Sequence, residues 1–167
     1  MAIVRKDKLL AGYNGNLESV MVHNSTGNKV PTTNGVFVTV GEYMTGQREV
    51  VKGTLADLAT AEQEVLLIHN SEVMYDERLY KIEDYIIPEG KVARAYRLNV
   101  GDIITLTVDL FSTPPTIGEE VIAHSNGKLG HDATALATAK TVFEVIEDSG
   151  YELHTNMKAY AVKVVRN

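Results

Sequence analysis

Cysteine and tryptophan are both absent from this 167-residue chain, and proline occurs only four times. Without cysteine there is no disulfide and no thiolate-ligated metal, and thiols carry no message about redox compartment. No uninterrupted apolar run approaches the roughly 20 residues that a membrane-spanning helix requires, so a membrane is not an expected partner. Residues 1–10 carry Arg5, Lys6, Asp7 and Lys8 with no apolar core after them, so no secretory leader is expected. The glycosylation-type triplet Asn24-Ser25-Thr26 is then read as chance. Positive charge is also short, with 16 Lys and Arg against 22 Asp and Glu and a net charge of −6. Non-specific nucleic-acid binding depends on neutralising phosphates, so nucleic acid is not an expected partner either.

What remains is an ordinary globular composition, 44% hydrophobic and 23% charged. A chain of this length buries about two-thirds of its unfolded surface and needs no covalent staples. Its most telling feature is one phrase used twice. Leu98-Asn99-Val100-Gly101-Asp102-Ile103-Ile104 is echoed by Pro115-Thr116-Ile117-Gly118-Glu119-Glu120-Val121-Ile122. In both, an apolar residue precedes glycine, an acid follows it, and a β-branched run begins within two residues. Glycine allows the positive φ of a tight turn, and Ile and Val suit a pleated, half-buried surface. The two phrases are expected to open neighbouring strands of a small barrel or sandwich.

Strand patterns begin at Val36, where Val36, Val38 and Val40 alternate with Phe37 and Thr39. Further candidates fall at 49–52, 65–69, 91–98, 103–110, 121–125, 141–147 and 159–165. Asn126-Gly127 is a strong hairpin signal, since both residues tolerate the positive φ of a type I′ turn. Two windows look helical: 55–64, with Thr54 as N-cap, and the alanine-rich 132–140. Each is short enough to need tertiary support, and the flanking strands are expected to connect antiparallel. Residues 1–35 are dense in Gly and Asn, allow at most one short strand at 17–22, and read as an extended, locally basic arm. The expected fold is therefore all-β, mainly antiparallel, as small barrel or sandwich lobes with one or two short helices and an extended N-terminal arm. The expected division is an arm at 1–35, a first β lobe at 36–90 ending at Pro88-Glu89-Gly90, and a second at 91–167.

Chemistry is sparse. His124 and His131 straddle the Asn126-Gly127 turn and with Asp132 could offer three metal ligands, but neither helical i, i+4 spacing nor a CxxC partner makes that site specific. Glu72, Asp76, Glu77, Glu83 and Asp84 surround Tyr75, Tyr80 and Tyr85. Paired carboxylates among aromatics can cleave glycosides, yet the tyrosines equally suit a protein interface, and the lack of tryptophan favours the second. No Gly-x-Ser-x-Gly elbow, GxxxxGK[ST] loop or GxGxxG turn occurs. The expectation is a non-enzyme with no cofactor.

A resemblance adds to this. Asn34-Gly35-Val36-Phe37-Val38-Thr39-Val40-Gly41-Glu42, Glu49-Val50-Val51-Lys52-Gly53, the run 64–76 and the run 85–98 into Val100-Gly101-Asp102-Ile103-Ile104 form a cadence. It resembles the cement or decoration proteins of tailed-bacteriophage head modules. The resemblance covers most of residues 30–167 and implies a β-rich virion protein that binds the outside of a capsid and stabilises the shell. It implies the major capsid protein and further copies of itself as partners, with assembly in the host cytoplasm and residence on the virion exterior. At 167 residues the chain is longer than the small trimeric members, which points to an extra lobe. The residues expected to contact partners are Arg5, Lys6, Lys8, Leu9, Leu10 and Tyr13 in the arm, with Tyr75, Tyr80 and Tyr85. The alternatives are a tail-tube or head–tail connector protein, or a non-viral ligand-binding β barrel.

Overall fold

The computed structural model describes residues 4–8, 16–47, 49–72 and 82–167. Half of the structure is strand and a tenth helical, which places it in the all-β class. Among the described residues eleven strands divide between a closed barrel and a second, six-stranded sheet. The barrel holds β2 (Leu17–His23), β3 (Phe37–Tyr43), β4 (Val50–Leu55), β5 (Leu66–Ile68) and β6 (Val92–Arg97). Its order is β2-β4-β3-β5-β6, closed where β6 pairs with β2. The sheet holds β1 (Val4–Lys8), β7 (Ile103–Thr107), β8 (Glu120–Ser125), β9 (Lys128–Gly130), β10 (Val142–His154) and β11 (Met157–Arg166) in the order β1-β7-β11-β10-β8-β9.

The barrel is narrow, and its sequence is written for that. Five strands enclose less room than the eight that just accommodate interior side chains, so small residues are needed. Ala93 and Ala95 of β6 are wholly buried, alternating with the exposed Val92 and Arg94. A Cβ on Gly53 of β4 would stand 2.1 Å from Val20 Cγ1. One ladder departs from the antiparallel expectation, because β2 and β4 run parallel from Ser19↔Val50 to His23↔Thr54.

Sheet and barrel share one core. Phe37 of β3 and Phe143 of β10 are both fully buried, with ring centroids 5.1 Å apart. The Asn126-Gly127 turn forms as its sequence predicts, with φ of 50° and 75°. It also docks on the barrel: Phe37 N–H donates to the Gly127 carbonyl at 2.8 Å, and Gly127 N–H donates to the Ala56 carbonyl at 2.7 Å. The outer side of the sheet carries α1 (Ala133–Thr138), where Ala135 and Leu136 pack near Ile122, Val142 and Val165. Asp132 caps this helix, accepting from the N–H groups of Thr134 and Ala135.

Four expectations are corrected. The helix expected at 55–64 is only a 3-10 turn, Leu58–Thr60, capped reciprocally by Asp57 and Thr60. Leu55 belongs to β4, and Ala56 N–H donates to the Phe37 carbonyl, so strand pairing takes the residues that would have opened the helix. The two echoed phrases open β7 and β8, which are not neighbours, because β11 and β10 lie between them. Residues 16–35 are not an arm: β2 is a barrel strand, Thr32 bridges Ile87, and Asn34 is buried. Val4–Lys8 likewise pairs with β7, from Val4↔Leu106 to Lys8↔Ile103. Finally, β6 lies past Pro88-Glu89-Gly90 yet closes the barrel, so the barrel runs from residue 17 to 97 and the first break is not a lobe boundary.

Candidate functional site

The residues expected to contact partners fall in three places. Arg5, Lys6 and Lys8 are in β1, an outer strand of the sheet. Leu9, Leu10, Tyr13, Tyr75 and Tyr80 lie outside the described residues, as do Asp76 and Glu77. Tyr85 is half-buried and packs against the main core, so it is an anchor of the loop it sits in. Glu72 accepts a 3.0 Å hydrogen bond from Asn34 Nδ2, while Asn34 Oδ1 accepts from Asn70 N–H at 2.8 Å. That carboxylate is held in a structural bridge between two loops.

The histidines do not converge. His131 Nδ1 donates to the Glu120 carbonyl at 2.9 Å and stands 4.0 Å from the Glu119 carboxylate. His124 Nδ1 lies 3.2 Å from Ser112 Oγ, which is also 3.2 Å from Ser125 Oγ. Asp132 spends its carboxylate on the α1 cap. The Ala135 N–H, then Thr134 N–H and the two nearby histidines, hold its pKa below the usual carboxylate value, against a smaller opposing effect of burial. Among the described residues no group of three or more His, Asp or Glu is placed to hold a metal ion. No helix there is long and apolar enough to cross a membrane.

The built features of the surface are different ones. Arg97 of β6 bridges two carboxylates, Glu18 of β2 at 3.1 Å and Glu64 before β5 at 2.5 Å. Burial opposes the Arg97 charge, but the two acids outweigh it and raise its pKa. All three groups are about one-third exposed, so the triad fastens the barrel seam only modestly. An open groove of about 500 Å³ lies beside α1, with Leu136, Val142 and Val165 as its apolar floor and Glu120 and Arg166 at its rim. Arg166 donates to the Leu136 carbonyl across it.

Large exposed apolar side chains are scattered over the described residues, among them Tyr43, Ile82 and Ile86 and two at turn tips. Val100 is 60% exposed and Ile117 is 65% exposed, each directly before the glycine of an echoed turn. Ile146 and Tyr151, on the far half of β10, are also exposed. Sequence reading missed these four. Turn chemistry accounted for the glycines and acids, and whether an adjacent Val or Ile is covered depends on elements far along the chain.

Comparison with known proteins returned no family model, curated protein or solved structure that matches this chain.

Proposed function

We propose that this chain is a virion structural protein that binds the outer surface of a tailed-phage capsid and stabilises the shell, with the major capsid protein and further copies of itself as partners. The observation that carries the reading is where the resembling phrases fall. Residues 37–43, 50–55, 66–68 and 92–97 are successive strands of the barrel, so much of the cadence falls on the framework of the fold. A sheet packed on a closed barrel and displaying apolar turn tips such as Val100 and Ile117 suits attachment to a preformed protein surface. On this reading the protein is assembled in the host cytoplasm and resides on the capsid exterior, and its work is mechanical, without catalysis or cofactor.

The test is co-sedimentation of the purified chain with empty shells of the major capsid protein encoded in the same genome. Saturable binding and a raised shell melting temperature are expected. Shells that sediment without the chain, at every protein ratio, overturn the reading. A tail-tube or connector role is favoured instead by one observation, β1 standing at the end of the sheet with β7 as its one strand neighbour among the described residues. Rings or tubes formed in the absence of shells, with no shell binding, would select it.

A further inference from the structure

We propose that Asn34 and Asn126 are latent modification sites, which the folded chain protects from deamidation and which react when the joint between barrel and sheet opens. This goes beyond the shell-binding reading and does not depend on it.

An asparagine followed by glycine is prone to this chemistry, because glycine has no Cβ to shield its main-chain nitrogen. The chain contains three such pairs, Asn14-Gly15, Asn34-Gly35 and Asn126-Gly127, and the first lies outside the described residues. In the reaction hydroxide takes the proton of the glycine N–H, and that nitrogen bonds to the asparagine Cγ. The bond from Cγ to the side-chain nitrogen breaks, and the nitrogen leaves as ammonia with a proton returned from water. Water then opens the cyclic imide at either carbonyl. One opening gives aspartate; the other gives isoaspartate, with the main chain routed through the side-chain carbon. Water is consumed and ammonia released, and no other reactant is needed.

Both described pairs are built into the joint. Gly127 is buried and held from two sides: its N–H donates to the Ala56 carbonyl at 2.7 Å, and its carbonyl accepts from Phe37 N–H at 2.8 Å. Gly35 is also buried, its N–H donates to the Ile68 carbonyl at 2.8 Å, and a Cβ added to it would run into Leu110 and Val4. In each pair the proton that hydroxide must remove is therefore committed to a main-chain acceptor, and releasing it breaks a buried hydrogen bond. Asn34 has a second lock. It is 1% exposed, its Nδ2 donates to the Asn70 carbonyl and the Glu72 carboxylate, both at 3.0 Å, and its Oδ1 accepts from Asn70 N–H at 2.8 Å. The amide that would leave is thus itself held. Asn126 is exposed and depends on the Gly127 docking and on the turn, whose φ of 50° ring closure must disrupt. Asn126 should consequently react before Asn34.

Either product hinders reclosure, so an opening is recorded in the chain. Isoaspartate at position 126 lengthens the main chain of a tight turn whose glycine must reach both Ala56 and Phe37. Aspartate at position 34 sets a second carboxylate against Glu72 and strips the Asn70 carbonyl of its donor.

The experiment incubates the full chain at alkaline pH, folded and in urea, and follows both sites by peptide mapping and mass spectrometry. Hydrogen exchange of the Gly35 and Gly127 amides is measured in parallel. Both asparagines should react in urea and react about a hundredfold more slowly in the folded chain, which is about 2.8 kcal/mol of opening at about 1.4 kcal/mol per tenfold. Both glycine amides should be protected, since the same opening exposes them. Phe143→Ala should loosen the joint from the sheet side and speed Asn126 about tenfold or more. Glu72→Ala should speed Asn34 and leave Asn126 unchanged, and circular dichroism checks that both variants are folded. Reaction of either site in the folded chain as fast as in urea, no reaction in urea, free exchange of the Gly127 amide, or rates indifferent to both variants overturns the proposal.

Discussion

Asp102 and Glu119 occupy the same position in two copies of one turn. The Asp102 carboxylate accepts from Asn99 N–H and the Glu119 carboxylate from Thr116 N–H, each three residues upstream and each at 2.8 Å. The main chain repeats as well. Gly101 and Gly118 have φ of 95° and 82° and donate to the carbonyls of Val164 and Val145 respectively. Val164 and Val145 in turn donate to the carbonyls of Asp102 and Glu119, both at 2.9 Å. The two turns thus start β7 on β11 and β8 on β10 with the same hydrogen bonds.

Their burial differs, and the cost of losing the acid should follow it. Asp102 is fully buried, whereas the Glu119 side chain is 27% exposed. Asp102→Ala should destabilise by about 2–3 kcal/mol, because it leaves the Asn99 N–H without its acceptor at a fully buried carboxyl. Glu119→Ala should cost about 1 kcal/mol or less, since water replaces the carboxylate. Urea denaturation of both variants checks the ranking; equal losses would show that burial is not what separates the two copies.

Gly127→Ala should be far more damaging than Gly118→Ala. Both glycines have positive φ, which costs an L residue roughly 1–2 kcal/mol. A Cβ on Gly127 would also stand 2.7 Å from the Phe37 carbonyl oxygen, where the hairpin docks on the barrel, while one on Gly118 meets nothing within 4 Å. The expected total at Gly127 is about 3 kcal/mol or more, the second part from overpacking against backbone. Thermal melts of the two variants separate strain from close approach.

Phe37 and Phe143 join the two halves, so the chain should unfold as one unit. Either Phe→Ala change should cost about 3–5 kcal/mol. A double-mutant cycle should return a coupling of about 1 kcal/mol for the tilted ring pair. Fluorescence-independent probes, such as hydrogen exchange of β3 and β10 amides, should report one common transition in the wild type. Separate transitions for barrel and sheet would show that the shared core does not couple them.

Acid should loosen the β10–β11 hairpin through Asp148. The Gly150 N–H, then the Lys158 ammonium, hold the Asp148 pKa below its usual value, against a smaller opposing effect of burial. A carboxyl whose folded pKa is depressed contributes stability that is present above its unfolded value, near 3.9, and is lost as pH falls through the folded value. The difference in melting temperature between wild type and Asp148→Asn should therefore be constant at neutral pH and shrink below about pH 4. A difference that instead grows toward acid would reverse the assignment.

The sequence by itself determined the strands, the tight turns and the all-β class, because those depend on neighbours within a few residues. Alternation marks a pleated half-buried strand, Asn126-Gly127 permits two successive positive φ angles, and Gly101-Asp102 and Gly118-Glu119 close on their own upstream N–H groups. The Asp132 cap of α1 is equally local, although the sequence marked that residue only as a possible metal ligand beside an alanine-rich window. Who pairs with whom was decided elsewhere. The parallel β2–β4 ladder, β6 closing the barrel across a proline break, β10 and β11 inserting between two look-alike strands, and β1 at a sheet margin are contacts between residues tens of positions apart. Local pattern fixes which face of a strand is buried, but the pairing partner is set by how all the buried faces pack together at once, and that is a property of the tertiary structure alone.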